Sequence, residues 1–462
     1  MNAIFADADP SLTSSWSACV VREAAWRAPV EALAPFAEEP YALALLSGGS
    51  EAAWSYLLRS PVEVMEVPSG SGPDPFAAAA ALIGPPTRHQ ADAPPFQGGL
   101  AGLASYELGL RREPSLEPAP RTDWPDLAAG LYPALLAFDH RRRRILAVGR
   151  GRDQAEAAER AQAALAWLDH RSPPPSPPAR LAQCFAPVGT ADAYRAAVAD
   201  VVARIVRGEI FQANVARAWA GRLAPEARPL DLFRALAAAS PAPFAAYLRL
   251  RDRALVSNSP ERFLRVDSEG RAETRPIKGT RPRGRDPQED QALARELADS
   301  AKDRAENLMI VDLMRNDLAR ACEPGSVEAP ELFKLESFVN VHHLVSTVTG
   351  RLAAGAGAFE LMAGAFPPGS ITGAPKVQAM RVIAGHEPPR GPYCGSIFWA
   401  GFDGAFDSSV LIRTAALVAE PEGWRYEVRA GAGIVADSDP EMESAETEAK
   451  IAALAAAFGA QP

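Results

Sequence analysis

Two pairs of carboxylates are set three residues apart, Asp303 with Glu306 and Glu443 with Glu446. On a helix such spacing puts both members of a pair on one face. Two faces of this kind can converge on a hard divalent cation. Magnesium fits such oxygen donors, because it keeps water and substrate oxygens in its shell. Solvated helices are also rich in acids, so the spacing alone leaves both readings open. Just ahead of the second pair runs Arg429-Ala-Gly-Ala-Gly-Ile-Val435. Its glycines let backbone amides approach an anion closely.

Lysine usage points to a second kind of chemistry. Of 48 basic residues only Lys278, Lys302, Lys334, Lys376 and Lys450 are lysine. A chain so biased to arginine keeps lysine where a cation must be able to shed its proton. Lys278 stands in Arg275-Pro-Ile-Lys-Gly-Thr-Arg-Pro-Arg-Gly284. Held by a proline-stiffened strand and partly buried, it can lose its charge and act as nucleophile or base. The same stretch also reads as a basic, anion-binding loop. Pro367-Pro-Gly-Ser-Ile-Thr-Gly-Ala-Pro-Lys376 gathers hydroxyls and amides at a helix start, which suits a carboxylate or an ether oxygen.

The elements that must position these residues are legible in outline. Thr190–Gly208 has helical periodicity and ends on glycine, and Ile210–Trp219 reads as a strand. Leu230–Ala239 is a helix, with Phe244–Leu250 and Ala254–Ser257 a strand pair. Asp290–Asp317 is a long helical region broken once, and Glu441–Phe458 is a final helix. Strands come in adjacent groups, as in Ile397–Phe402, Val410–Leu417 and Tyr426–Val435, which favours α+β over an alternating parallel fold. Upstream, Leu131–Val148 reads as a hairpin and Asp153–Asp169 as an amphipathic helix. Arg171-Ser-Pro-Pro-Pro-Ser-Pro-Pro-Ala-Arg180 is too proline-rich for either element and reads as a linker.

Composition removes several classes of function. At 48% hydrophobic and 23% charged, 462 residues describe a folded, enzyme-sized chain rather than a disordered one. A net charge of −9 argues against nucleic acid as the main partner. No apolar run approaches the roughly 20 residues of a membrane span. Asp7 and Asp9 stand where a secretory signal would be basic. Cys19, Cys184, Cys322 and Cys394 match no zinc spacing and read as thiols of a cytoplasmic protein.

Taken in order, Ser259-Pro-Glu-Arg-Phe, Pro276-Ile-Lys-Gly-Thr-Arg, Lys302-Asp-Arg-Ala-Glu-Asn, Val311-Asp-Leu-Met-Arg-Asn-Asp, Gly369-Ser-Ile-Thr-Gly-Ala-Pro-Lys and Ala430-Gly-Ala-Gly-Ile-Val resemble the motifs of the chorismate-utilising enzymes. The resemblance runs from Thr190 to Phe458. The upstream region is similar to the N-terminal part of anthranilate and aminodeoxychorismate synthase large subunits, through Phe96-Gln-Gly-Gly and Ser105-Tyr-Glu. It implies a composite α+β fold of orthogonally packed, antiparallel-rich sheets flanked by helices. Residues 1–170 would form the N-terminal part, 171–180 the linker and 181–462 the chorismate-binding catalytic region, all packed as one body.

The resemblance also implies roles. Glu261 takes the general-acid position. Glu306 and Glu446 are the direct magnesium ligands, with Asp303 and Glu443 in outer positions. Magnesium and the amides around Gly431 and Gly433 would hold the ring carboxylate. Tyr393 and Arg413 would bind the enolpyruvyl carboxylate, and His343 and Ser370 would touch the ring. Relatives that add water use a lysine base where this chain has Gln212, so ammonia is the expected nucleophile. Anthranilate synthases carry a small residue in place of Lys278, whereas lysine there marks the aminodeoxychorismate synthase branch. In that branch the lysine attacks ring carbon 2 and ammonia then enters at carbon 4. The expected partner is a separate glutamine amidotransferase, since no nucleophilic cysteine sits in a glycine-rich elbow.

Two features depart from the family pattern. Asn307 follows Glu306 where many relatives have histidine. Leu45-Leu-Ser-Gly-Gly lacks the acidic residue of tryptophan-regulated anthranilate synthases. Anthranilate synthase component I is the near rival reading. A catalytically idle subunit is the distant one.

Overall fold

The computed structural model describes residues 16–49, 52–70, 72–91, 93–116, 121–170, 180–338 and 341–459. The linker expected at 171–180 lies outside them except for Arg180. Two large sheets, in which every paired strand is antiparallel, form the centre of an α+β fold. The first has 12 strands and the second 10. In both, a block of strands from before the linker joins edge to edge with a block from after it. In the first sheet Leu43–Leu46 pairs with Phe244–Arg249. In the second Gly99–Ala104 pairs with Ser396–Gly401.

Side chains from the two sheets meet in a shared core. Leu43, Tyr56 and Leu255 from the first pack with Leu103, Ile397 and Trp399 from the second. Buried on both faces, strands such as Gly99–Ala104 and Leu127–Tyr132 lose the polar alternation of a half-exposed strand. Helices cover the outer faces. Gln154–Ala166, Pro229–Ala239 and Pro440–Ala457 lie on the first sheet, as their buried alanines, leucines and phenylalanines require. Pro75–Ile83, Ala301–Ala319 and Ala358–Ala365 lie on the second. There Phe76, Phe359, Phe366, Phe263, Phe398 and Phe406 form a chain of ring contacts. Each ring pair adds about 0.5–1.5 kcal/mol beyond its burial. That cluster seats the loop after Ala358–Ala365, which carries Ser370.

The break expected in Asp290–Asp317 falls at Ser300, between Pro287–Asp299 and Ala301–Ala319. Ser300 caps the second helix by accepting from Asp303 N at 3.2 Å. Asp439 caps Pro440–Ala457, accepting from Glu441 N and Met442 N at 3.0 Å, with proline at the first helical position. The expected hairpin forms as Ala134–Asp139 with Arg144–Gly151, while Leu131 belongs to a strand of the other sheet. No helix among the described residues is long and apolar enough to cross a membrane.

Candidate active site

The chain passes from the first sheet to the second at Pro260–Glu261, between Arg253–Ser259 and Arg262–Val266. It returns at Leu411–Arg413, between Phe406–Val410 and Thr414–Glu420. The two crossovers lie side by side. Val410 N donates to Glu261 O at 3.1 Å, and Asn258 N donates to Arg413 O at 3.0 Å. Arg413 has a φ of 51°, a left-handed conformation that interrupts the extended run here. The single strand expected over Val410–Leu417 is therefore two strands in different sheets. The apolar run through Leu411 and Ile412 hid the break. As a result Glu261 and Arg413 leave irregular backbone at the seam between the sheets, and their opposite charges act on each other.

Lys278 reaches the same seam from Ile277–Pro282, whose pairing with Val341–Arg351 is irregular between Ile277 and Thr280. Gly279, at a φ of 81°, forms the irregularity, and a Cβ there would stand 2.9 Å from Asp303 Cγ. Only glycine lets helix Ala301–Ala319 close on this strand. Lys278 Nζ donates to the Ser370 carbonyl at 3.2 Å, and Ser370 Oγ donates to Glu261 Oε1 at 2.6 Å. Burial pulls the Lys278 amine below the usual lysine range, opposed by the charge of Glu261. Burial likewise raises the Glu261 carboxyl, opposed first by its bond from Ser370 and then by Lys278. Burial thus disfavours the charged form of each group, while the charge of each favours the charged form of the other.

The floor of the site is a pair of strands, Gln212–Arg222 and Gly423–Ile434. A Cβ on Gly433 would stand 2.9 Å from Gln212 Nε2 and 3.5 Å from Lys278 Nζ. A Cβ on Gly431 would stand 2.6 Å from Asn214 Oδ1 and 3.0 Å from Tyr393 Oη. Bare backbone at these two positions makes room for the amides and for anything bound above them. Both amide atoms of Gln212, and Oδ1 of Asn214, are buried without a partner among the described residues. A buried polar atom left so costs about 1–3 kcal/mol. Burial holds the Tyr393 hydroxyl protonated, a neutral donor on the same floor.

The four acids come from the two capped helices. Asp303 pairs with Arg281 at 3.3 Å and Glu446 with Lys450 at 2.6 Å. Glu306 has no hydrogen bond or ion pair among the described residues. Burial raises its pKa, opposed by the charges of Lys278 and Lys302, with the charges of Asp303 and Glu443 adding to the rise. Burial also raises Glu443, opposed by a hydrogen bond from Ser438, with Glu446 adding to the rise. Among the described residues no three His, Cys, Asp or Glu side chains stand close enough to hold a metal alone. Carboxylate oxygens are nevertheless the donors that fit magnesium, which completes its shell with water and substrate oxygens.

His343 lies opposite Thr280 on the neighbouring strand, and its Nδ1 shares a 2.9 Å hydrogen bond with Thr280 Oγ1. Burial, then the charge of Arg413, lowers its pKa to about 4, so the ring is neutral. Three further residues belong to this wall. Lys450 Nζ donates to Gly431 O at 2.9 Å while pairing with Glu446. Its scarcity as a lysine, four residues after Glu446, was the available signal. Gln212 and Asn214 alternate onto one face of a strand, but nothing in their spacing shows that their amides go unpaired. A cavity of about 1000 Å³ omits Lys278 and Glu261 and is lined instead by their neighbours Ile277 and Pro260, with Leu45, Trp54 and Phe244. Adjacent residues of a strand face opposite ways, so Lys278 points away from the cavity that Ile277 lines.

Comparison with known proteins bears on this geometry. A family described as chorismate binding enzyme matches residues 47–456. Aminodeoxychorismate synthase component 1 of Salmonella typhimurium is 44% identical over 359 residues, 77% of this chain and 76% of that protein. Anthranilate synthase component 1 of Thermus thermophilus is 40% identical over 389 residues, 82% of each. The crystal structure of anthranilate synthase component I from Streptococcus pneumoniae aligns with a TM-score of 0.77 at 28% identity, covering 87% of this chain and 92% of that one.

Proposed function

The chain belongs to the chorismate-binding enzyme family, and we propose that within it this protein is an aminodeoxychorismate synthase large subunit that aminates chorismate at ring carbon 4. The observation that carries the reading is the arrangement Lys278–Ser370–Glu261, a buried amine and a buried acid bonded through one residue. A nucleophile and the acid for its leaving group are thereby presented together. The names of relatives at 42–44% identity support the same branch.

The neutral Lys278 amine bonds to carbon 2, the two ring double bonds shift toward carbon 4, and the carbon–oxygen bond there breaks. Glu261 gives its proton to the departing hydroxyl, which leaves as water. Ammonia bonds to carbon 4, the double bonds shift back, and the carbon–lysine bond breaks to restore the amine. The surplus proton on the new nitrogen returns to Glu261, so chorismate and ammonia become aminodeoxychorismate and water.

Arg413, whose planar fork suits a carboxylate, and Tyr393 Oη take the enolpyruvyl carboxylate. His343 and Ser370 border the ring, and neutral His343 adds no positive charge beside the amine that must stay neutral. Glu306 and Glu446 would hold magnesium, with Asp303 and Glu443 behind them, and the ion would anchor the ring carboxylate beside the amides near Gly431 and Gly433. Gln212 cannot take a proton, so water bound beside it is not activated. Ammonia would come from a separate glutamine amidotransferase, as the "component 1" in relatives' names suggests. Four free thiols go with a cytoplasmic location.

The decisive experiment supplies chorismate, magnesium and ammonium and follows the products. A product that becomes 4-aminobenzoate only after an aminodeoxychorismate lyase is added upholds the reading. Anthranilate fluorescence without a lyase shifts the assignment to anthranilate synthase component I.

A further inference from the structure

Ser105-Tyr-Glu has no part in the chemistry above. It follows strand Gly99–Ala104, whose last residue pairs with Ser396 at the start of Ser396–Gly401. Beyond that end of the pair, the short helix Tyr106–Arg112 meets the turn that carries Tyr393. Glu107 is buried there, and no cation pairs with it among the described residues. Its Oε1 accepts from Arg390 N at 2.6 Å and its Oε2 from Gly391 N at 2.9 Å. Tyr106 N donates to Gly391 O at 2.8 Å, and Gly391 has a φ of 58°. Successive N–H groups at such a turn form a hollow for an anion. Here the chain fills it with its own carboxylate. An ionised acid accepts at two neighbouring points without offering a donor, whereas glutamine would set its NH2 group against one of the two N–H groups.

The same turn is tied to the rest of the site. Arg390 Nη2 donates to Asn214 O at 2.6 Å and to Glu387 Oε1 at 2.8 Å. Its Nη1 reaches Ile371 O, next to Ser370, at 3.4 Å. Cys394 N donates to Leu411 O at 2.8 Å, and Leu411 N donates to Gly395 O at 2.9 Å, on the crossover that carries Arg413. Tyr393 Oη stands beside the bare backbone of Gly431.

Resting on the earlier reading that Tyr393 and Arg413 take the enolpyruvyl carboxylate, we infer that Glu107 is a positioning residue for that carboxylate, holding the Tyr393 turn from a segment that precedes the linker. Glu107 touches no substrate. It fixes the two backbone groups just ahead of Tyr393, so the hydroxyl is in place before chorismate arrives and little order has to be imposed on binding. Lys278 and the four acids stand on other elements.

The test follows chorismate consumption by the full chain with magnesium and ammonium, at about pH 8. Burial pushes the Glu107 carboxyl up to about 7, opposed first by the Arg390 amide, so most of it is ionised under those conditions. The competing probe is a dihydroxycyclohexadiene carboxylate, which has a hydroxyl where chorismate has its enolpyruvyl ether. Glu107→Gln should raise the chorismate KM about tenfold, the worth of a buried hydrogen bond, with kcat kept within about threefold. The inhibition constant of the probe should stay within about twofold. Tyr393→Phe should show the same selective loss, and the double variant should be little worse than either single one, because both act on one contact. Glu107→Asp, a carboxylate on a shorter arm, should fall between wild type and Glu107→Gln. If Glu107→Gln does not fold, Glu107→Asp alone must show the selective rise. An unchanged chorismate KM overturns the inference. So does an equal loss for probe and chorismate, which would mean a general loosening of the fold. If Tyr393→Phe is selective and Glu107→Gln is not, the inference alone falls. If neither is selective, the placing of the enolpyruvyl group is wrong and the inference falls with it. Anthranilate as the product would change the assigned branch and leave this comparison valid, since it reads only chorismate binding.

Discussion

Ser370 Oγ donates a 2.6 Å hydrogen bond to Glu261 Oε1, between a tight turn and a crossover that are far apart in sequence. The bond stabilises the carboxylate and partly offsets the burial that raises its pKa. Ser370→Ala should therefore push the Glu261 pKa higher still. In the proposed mechanism the protonated acid is the working form, so the descending limb of the kcat/KM profile should move to higher pH by about one unit, worth about 1.4 kcal/mol. A limb that stays in place would mean Glu261 is not the group that titrates.

Lys278→Ala removes the amine without disturbing the bond between Ser370 and Glu261. Turnover should fall on the order of a thousandfold, as when other covalent nucleophiles are deleted. Lys278→Arg should be equally inactive, since arginine does not shed its proton. In the proposed mechanism the neutral amine is the working form, so activity should rise with pH through a limb below the ordinary lysine range. Turnover by the alanine variant close to wild type would rule out the covalent route.

Chelation tests the acids. EDTA should abolish turnover, with magnesium restoring it. Glu306→Gln should raise the magnesium needed for half-maximal rate at least about tenfold, because it would remove the proposed direct anionic ligand. Full activity in EDTA would remove the metal from the reading.

His343 gives a stability test. Its folded pKa of about 4 lies below the ordinary 6.5. Between those values the unfolded chain binds the extra proton, so stability rises with pH through that window and is lost as pH falls toward 4. The difference caps the effect at about 3 kcal/mol. His343→Gln should flatten the dependence of the urea midpoint on pH over that window. An unchanged slope would assign the dependence to other groups.

How much of this was legible depended on whether a residue's role was local. The capped helices bearing Asp303, Glu306, Glu443 and Glu446 were readable, because capping and periodicity act over a few neighbours. Lys278 stood out through scarcity. The crossover at Arg413 was not readable, because apolar Leu411 and Ile412 continue a strand pattern while tertiary packing turns the chain. The unpaired amides of Gln212 and Asn214 were not readable either, since pairing is settled by strands and loops distant in sequence.

Lys376 is the last lysine with a task of its own. Its Nζ donates to Asp317 Oδ2 at 2.8 Å and to the Ala365 carbonyl, with Asp317 almost wholly buried. Asp317 belongs to the helix that carries Asp303 and Glu306, and Lys376 ends the loop that carries Ser370. Between them Gly369 packs so closely that a Cβ would stand 2.6 Å from Leu313 Cδ2. The pair therefore ties the acid-bearing helix to the residue joining Lys278 and Glu261. Lys376→Met leaves a buried carboxylate unpaired and should cost about 3–5 kcal/mol in urea unfolding. Adding Asp317→Leu removes that carboxylate and should recover most of the stability, because an apolar pair of similar volume can replace a buried ion pair. If the double variant regains stability but still has a kcat reduced about tenfold or more, the pair sets the geometry of the site as well as holding the fold. Full recovery of kcat would reduce its role to stability alone.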